Sequence, residues 1–192
     1  MNYQDYIWDL GGTLLDNYET STAAFVHTLQ DFGLTASHDE VYKALKVSTE
    51  YAVRQFAPRN KEFLKAYKAN EAKELEHPIL FDGASELLAQ IIQQGGRNFL
   101  ISHRDDQVLE ILQKTQIDPY FTEVVTATNG FKRKPDPESM LYLKDKYQIE
   151  SELVIGDRPI DIEAGQAVGF SCYLFDNMKN LEEFVDIELE KE

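Results

Sequence analysis

Five short apolar runs, each broken by polar or glycine-bearing stretches, most constrain what this sequence can fold into. The first, Tyr6-Ile7-Trp8, reaches Asp9 and stops at Gly11-Gly12. The others are Asn98–Ser102, Glu123–Thr126, Glu152–Ile155 and Ser171–Phe175. Short apolar runs stopped by turn residues read as buried strands. Amphipathic segments lie between them. Leu87, Leu88, Ile91 and Ile92 share one helical face, as do Val108, Leu109 and Leu112, and then Met140, Leu143 and Tyr147. Strands alternating with helices of this length predict right-handed βαβ units and a parallel sheet. Five strands are too few for a (β/α)₈ barrel, so the expected class is α/β, a Rossmann-like open parallel sheet.

One interval breaks the alternation. From about Asn17 to His77 only helical patterns occur: Phe25, Leu29 and Phe32 at i, i+4 and i+7, then Val41 and Leu45, then a long charged helix over Asn60–Glu76 that Pro78 ends. The simplest account is a helical subdomain, residues 17–79, inserted into a core made of residues 1–16 and 80–192. Its two crossings, near Leu15–Tyr18 and His77–Phe81, suggest hinge closure that excludes water and selects substrates. Asn17 and Tyr18 sit near that hinge, although packing explains Tyr18 equally well. The acidic tail, Leu181–Glu192, is expected to be mobile in its last few residues.

Composition then excludes several classes. Thirty-four acidic against nineteen basic side chains leave a net charge of −15, which repels nucleic acid and anionic lipid, and no long basic run opposes it. No apolar stretch approaches a membrane span, and Met1–Asp9 carries acids where a signal peptide carries Lys or Arg. The single cysteine, Cys172, allows no intrachain bridge, so a reducing, cytoplasmic location is expected.

Ligands of open parallel sheets bind beyond the carboxyl ends of the strands. There this sequence places Asp9-Leu10-Gly11-Gly12-Thr13, Ser102-His103-Arg104, Phe131-Lys132-Arg133-Lys134-Pro135-Asp136-Pro137 and Gly156-Asp157-Arg158-Pro159-Ile160-Asp161. Three carboxylates, a hydroxyl and a lysine converge on one edge. Crowded carboxylates repel unless a cation lies between them, and hard oxygen ligands suit Mg²⁺. Each piece also has a purely structural reading. Asp9 can satisfy the Gly11-Gly12 amides, Ser102 can cap the next helix, and Lys134 can be solvated before a helix opened by Pro137. Asp157 can cap the helix near Pro159, with Asp161 favoured by its dipole. Four such coincidences on one sheet edge are harder to accept than one site.

These residues resemble the haloacid dehalogenase-like hydrolases. Asp9-Leu10-Gly11-Gly12-Thr13-Leu14 is similar to the family's first motif, Asp-x-Asp-Gly-Thr, with Gly11 in place of the second Asp. Ser102 after its apolar strand, Lys134 within Lys-Pro-Asp-Pro, and Gly156-Asp157-x-x-x-Asp161 resemble the second, third and fourth. The helical insertion sits where the family places its first-type cap. The resemblance implies a Mg²⁺-dependent phosphatase acting on a small phosphorylated metabolite. Asp9 would be the nucleophile, forming an aspartyl-phosphate. Mg²⁺ would be held by Asp9, the Gly11 carbonyl, Asp157 and Asp161. Ser102 and Lys134 would contact phosphoryl oxygens, with His103 beside them. The partners implied are that metabolite alone, with no nucleic acid or membrane, in a monomer or homodimer.

Gly11 removes the side chain that, in the family's phosphatases, protonates the leaving group, a contribution of about 10²–10⁴-fold. His103 is one candidate substitute, since imidazole titrates near neutrality; a plain loop histidine is the alternative. Acyl or anomeric phosphates, which hardly need an acid, are one outcome. A phosphonate-cleaving relative is another; it would need a Schiff-base lysine from among Lys43, Lys46, Lys61, Lys65, Lys68 and Lys73. A non-catalytic protein that binds a phosphometabolite or a partner is the third.

Overall fold

The computed structural model describes residues 3–74 and 76–189, with side chains described as far as residue 185. The expectation of a mobile chain end falls on residues 190–192, outside those described. The chain divides into two compact units: residues up to Leu15 together with those from Leu80 onward, and Asp16–Ile79 between them.

In the first unit, β1 (Asp5–Trp8), β2 (Arg97–Ile101), β3 (Phe121–Val125), β4 (Glu152–Gly156) and β5 (Ser171–Leu174) form one parallel sheet in the order β3-β2-β1-β4-β5. The chain steps outward from β1 through β2 to β3, then returns to β1's other side with β4. That reversal makes the carboxyl end of β1 the topological switch point. The register is aligned there, with Trp8 opposite Leu100 on one side and Ile155 on the other.

The inner strands β1, β2 and β4 are buried on both faces because helices cover both, while the edge strands β3 and β5 are partly exposed. Tyr6, Trp8, Leu100, Leu153 and Ile155 pack with α5 (Ala84–Gln93), α6 (Gln107–Lys114) and α9 (Met178–Leu189). Ile7, Phe99, Ile101, Val125 and Val154 face α7 (Glu138–Tyr147) and α8 (Pro159–Gln166). Two helical faces differ from expectation. Ile92 and Leu109 are exposed, at 41% and 45%, because the buried stripes are Leu87-Leu88-Ile91 and Val108-Ile111-Leu112. The acidic tail also holds a helix, α9, whose Leu181 and Val185 are buried.

The second unit holds α1 (Asn17–Asp31), α2 (His38–Val47), α3 (Thr49–Phe56) and α4 (Phe63–Glu74), one helix more than the sequence pattern suggests. Ser48 explains the difference. Its amide closes α2 on the Ala44 carbonyl, while its Oγ accepts from the Tyr51 amide and starts α3. α3 is a short helix of eight residues that turns Ala52, Val53 and Phe56 to the unit's core. The unit's core is aromatic, with Phe25 4.9 Å from Phe63 and 5.0 Å from Tyr67 between ring centres. Among the described residues no helix is long and apolar enough to cross a membrane.

Candidate active site

The site grows from the switch point. Asp9 directly follows β1, and its amide still donates to the Ile155 carbonyl at 2.9 Å. The chain then curls back so that the amides of Leu14 and Leu15 both donate to the Leu10 carbonyl, at 3.0 and 2.9 Å. Gly12 makes the curl with φ +83°, a left-handed conformation, and a Cβ there would collide with the Asp157 carboxylate. Gly156, at the end of β4, likewise leaves no room for a Cβ, which would run into Asp161. The two glycines let the carboxylates approach the end of β1.

Lys134 enters from the loop before α7, its bond to Pro135 cis. Its ammonium lies 2.6 Å from Asp9 Oδ1, 2.5 Å from Asp161 Oδ1 and 3.2 Å from the Ile101 carbonyl. The side chains of Lys134 and Asp161 are each 1% exposed. Asp9, Asp157 and Asp161 each offer one oxygen, all within 4.8 Å of one another. The buried ammonium thus meets two of the three carboxylates, and the half-exposed Arg158 guanidinium lies 3.9 Å from Asp161 Oδ2. Burial raises the Asp9 pKa, Lys134 opposes that rise, and the Asp161 charge adds to it. Burial, then the Asp9 charge, pushes Asp157 up to about 6. Asp157 Oδ1 is buried with no hydrogen-bond partner among the described residues, and Asp161 Oδ1 meets Lys134 as an ion pair outside hydrogen-bond alignment. An acidic, oxygen-only donor set with surplus negative charge fits a hard divalent cation such as Mg²⁺.

The purely structural readings of these residues fare unevenly. Lys134 is buried, not solvated. The helix after β2 is preceded by Asp106, not capped by Ser102, whose Oγ instead accepts from the Arg104 amide at 3.2 Å. Asp157 does not cap α8. Asp161 does part of that work, since its Oδ2 accepts from the Arg158 amide at 3.2 Å. The Gly12 amide donates to Leu15, so Asp9 is not needed for it.

The sequence profile of the haloacid dehalogenase-like hydrolases matches residues 6–175. The chain belongs to that family. A phosphoglycolate phosphatase of Aliivibrio fischeri is 29% identical over 189 residues, covering 88% of this chain and 81% of its own. A pyrophosphatase PpaX of Oceanobacillus iheyensis is 25% identical over 177 residues, covering 86% and 80%. The crystal structure of a hydrolase from Streptococcus pneumoniae TIGR4 superimposes with a TM-score of 0.94 at 68% identity, covering 97% of this chain and 100% of that one.

Within this hydrolase, the His103 ring has one nitrogen committed to the backbone. Its Nε2 accepts the Lys134 amide hydrogen at 2.7 Å, so a neutral ring carries its proton on Nδ1. Burial, then the charges of Lys134, Arg133 and Arg158, lowers its pKa to about 4. The six lysines considered for a Schiff base are all exposed, whereas such a nucleophile is activated by desolvation or a neighbouring cation. Sequence reasoning overlooked the Ile101 carbonyl and the spacing role of Gly156. The second had a signal, a glycine placed directly before the motif's first acid.

Proposed function

We propose that this hydrolase is a Mg²⁺-dependent phosphatase acting on a small phosphorylated metabolite through an aspartyl-phosphate on Asp9. The observation that carries the reading is the buried cluster itself: Asp9 beside Lys134, with Asp157 and Asp161 adding negative charge that Lys134 and the half-exposed Arg158 leave in surplus. Asp9, the Gly11 carbonyl, Asp157 and Asp161 would hold Mg²⁺. When bound, the ion supplies charge neutralisation for the phosphoryl oxygens and keeps Asp9 ionised.

Lys134 occupies Asp9 Oδ1, which leaves Oδ2 to attack phosphorus. The new O–P bond forms as the bond to the leaving oxygen breaks. Water then hydrolyses the acyl phosphate, releasing inorganic phosphate and restoring Asp9. Ser102 Oγ and the Lys134 ammonium are the donors offered to the phosphoryl oxygens. His103 has only its Nδ1–H left for a substrate. The helical unit would act as the cap that selects the metabolite. The relatives named for phosphoglycolate and pyrophosphate act on small anions of this kind. Because Gly11 offers no acid, leaving groups that need little protonation are favoured.

The test is hydrolysis of p-nitrophenyl phosphate with and without Mg²⁺, comparing wild type with Asp9→Asn. Metal-dependent turnover that disappears in Asp9→Asn is the expected result. No turnover by wild type would overturn the reading and favour a binding role.

A further inference from the structure

We propose that His103 is a positioning residue: its imidazole holds the backbone of Lys134 so that the lysine ammonium stays between Asp9 and Asp161. The assignment rests on the phosphatase reading for its catalytic consequence, but its structural half stands on geometry alone.

Lys134 sits on a loop, yet its ammonium must meet two carboxylates and a carbonyl at once, within 3.2 Å of each. Such placement requires the loop backbone to be fixed as well. The Lys132 amide donates to Glu138 at 2.8 Å and the Asp136 amide to the Arg133 carbonyl at 3.0 Å, and the contacts that tie residues 133 and 134 to the sheet edge come from one residue of the loop after β2. His103 Nε2 accepts the Lys134 amide hydrogen at 2.7 Å. In return, the Arg133 guanidinium donates to the His103 carbonyl at 3.0 Å. The two loops, thirty-one residues apart at the His103–Lys134 bond, are therefore laced by reciprocal side-chain-to-backbone bonds. The His103 loop is itself anchored. Ser102 donates its amide to the Val125 carbonyl at 2.9 Å, and the Ala127 amide donates to the Arg104 carbonyl at 2.8 Å. Position thus passes from the end of β3, through residues 102–104, to Lys134. An alanine at 103 leaves the Lys134 amide without its acceptor and frees the loop to shift; a shift of about 1 Å at a reacting centre can cost 10²-fold.

The experiment compares wild type, His103→Ala and His103→Gln; the glutamine carbonyl can reach the position of Nε2. With Mg²⁺ and aryl phosphates of graded leaving-group basicity, His103→Ala is expected to lower kcat about 10–100-fold, equally across the series, with KM changed less. His103→Gln is expected to recover to within about threefold of wild type. A deficit that grows with leaving-group basicity would identify a proton donor instead, and a glutamine variant as slow as the alanine one would overturn the acceptor role. A second readout needs no turnover. In nitrogen-15-labelled protein, a coupling across the hydrogen bond should link the Lys134 amide nitrogen to His103 Nε2. Amide exchange at Lys134 should quicken about 10-fold or more in His103→Ala and slow again in His103→Gln. Unchanged exchange in His103→Ala overturns the proposal whether or not the protein is a phosphatase. Normal coupling in a wild type that hydrolyses nothing overturns the phosphatase reading and leaves the positioning intact.

Discussion

The two ends of β1 solve the same problem in opposite ways. Asp5 opens the strand and Asp9 follows it, and both carboxylates are buried. At the opening end the charge is matched one to one: the Arg97 guanidinium meets both Asp5 oxygens, at 2.5 and 2.9 Å, from the facing position of β2. At the closing end three carboxylates face one buried ammonium and the half-exposed Arg158 guanidinium, and the protonated forms of Asp9 and Asp157 are favoured. A bidentate buried pair serves the fold. An unbalanced cluster does not, and is retained where a ligand completes it. The same sheet therefore carries a matched end and an unmatched one, four residues apart along its central strand, and the proposed chemistry uses the second.

Asp9→Asn should break this contrast most severely. Turnover of p-nitrophenyl phosphate is expected to fall about 10⁴-fold or more, as for loss of a nucleophile. The melting temperature of the metal-free protein should hold or rise, since an amide removes a charge that the folded state disfavours. A variant that loses activity and stability together would show Asp9 to be a structural acid like Asp5.

Gly11→Asp should have the next largest effect, in the opposite direction. Gly11 does not have a positive φ, so a side chain there meets no left-handed strain, unlike one at Gly12. Restoring a carboxyl two residues after Asp9 is expected to raise turnover of simple alkyl phosphates by about 10²-fold. Turnover of p-nitrophenyl phosphate, whose leaving group needs little help, should change far less. Equal gains on both substrates would mean that the carboxyl works through the metal site and not as an acid.

Asp5→Asn probes the other end. It removes the negative charge and leaves the Arg97 guanidinium one neutral amide oxygen at position 5, besides the Tyr147 carbonyl at 3.4 Å. Breaking a fully buried pair costs about 3–5 kcal/mol, and because the Arg97 side chain is 33% exposed the expected loss is about 2 kcal/mol. Urea unfolding measures it, and turnover per folded molecule should be unchanged. Loss of activity without loss of stability would reverse the roles assigned to the two ends.

Much of this contrast is legible in the amino-acid sequence. Parallel strands buried on both faces make continuous apolar runs, so β1, β2 and β4 stand out, and the partly exposed edge strands β3 and β5 keep enough of the pattern to be read; the acids that follow Trp8 and Gly156 stand out too. Helix faces are read less well. Leu109 and Ile92 are as apolar as their neighbours, and only the packing shows them outside the stripe. Ser48 hides α3 because one residue ends a helix and starts another. At the site, residue types reveal the acids and Lys134, but not the Arg97–Asp5 pairing or the lacing of His103 to Lys134. Those bonds join residues 92 and 31 positions apart, and no local pattern encodes them.

The smallest effect tests the unbalanced charge directly, through pH. In protein freed of metal by a chelator, the Asp157 carboxyl titrates near 6 when folded against an ordinary value of 3.8. Between those values the folded state keeps a proton that the unfolded chain has released, so stability falls as pH rises through the window. Asp9, raised for the same first cause of burial, acts with the same sign. With Mg²⁺ in excess the slope should weaken or reverse, because a bound cation favours the ionised carboxylates. Melting temperatures from about pH 4 to 7, with and without Mg²⁺, measure both slopes, and other titrating groups cancel when wild type is compared with Asp157→Asn. The variant should show a shallower fall without metal and a smaller gain with it, by a few degrees in each case. Identical curves for the two proteins would mean that Asp157 bears no unbalanced charge, and the two ends of β1 would then differ in shape alone.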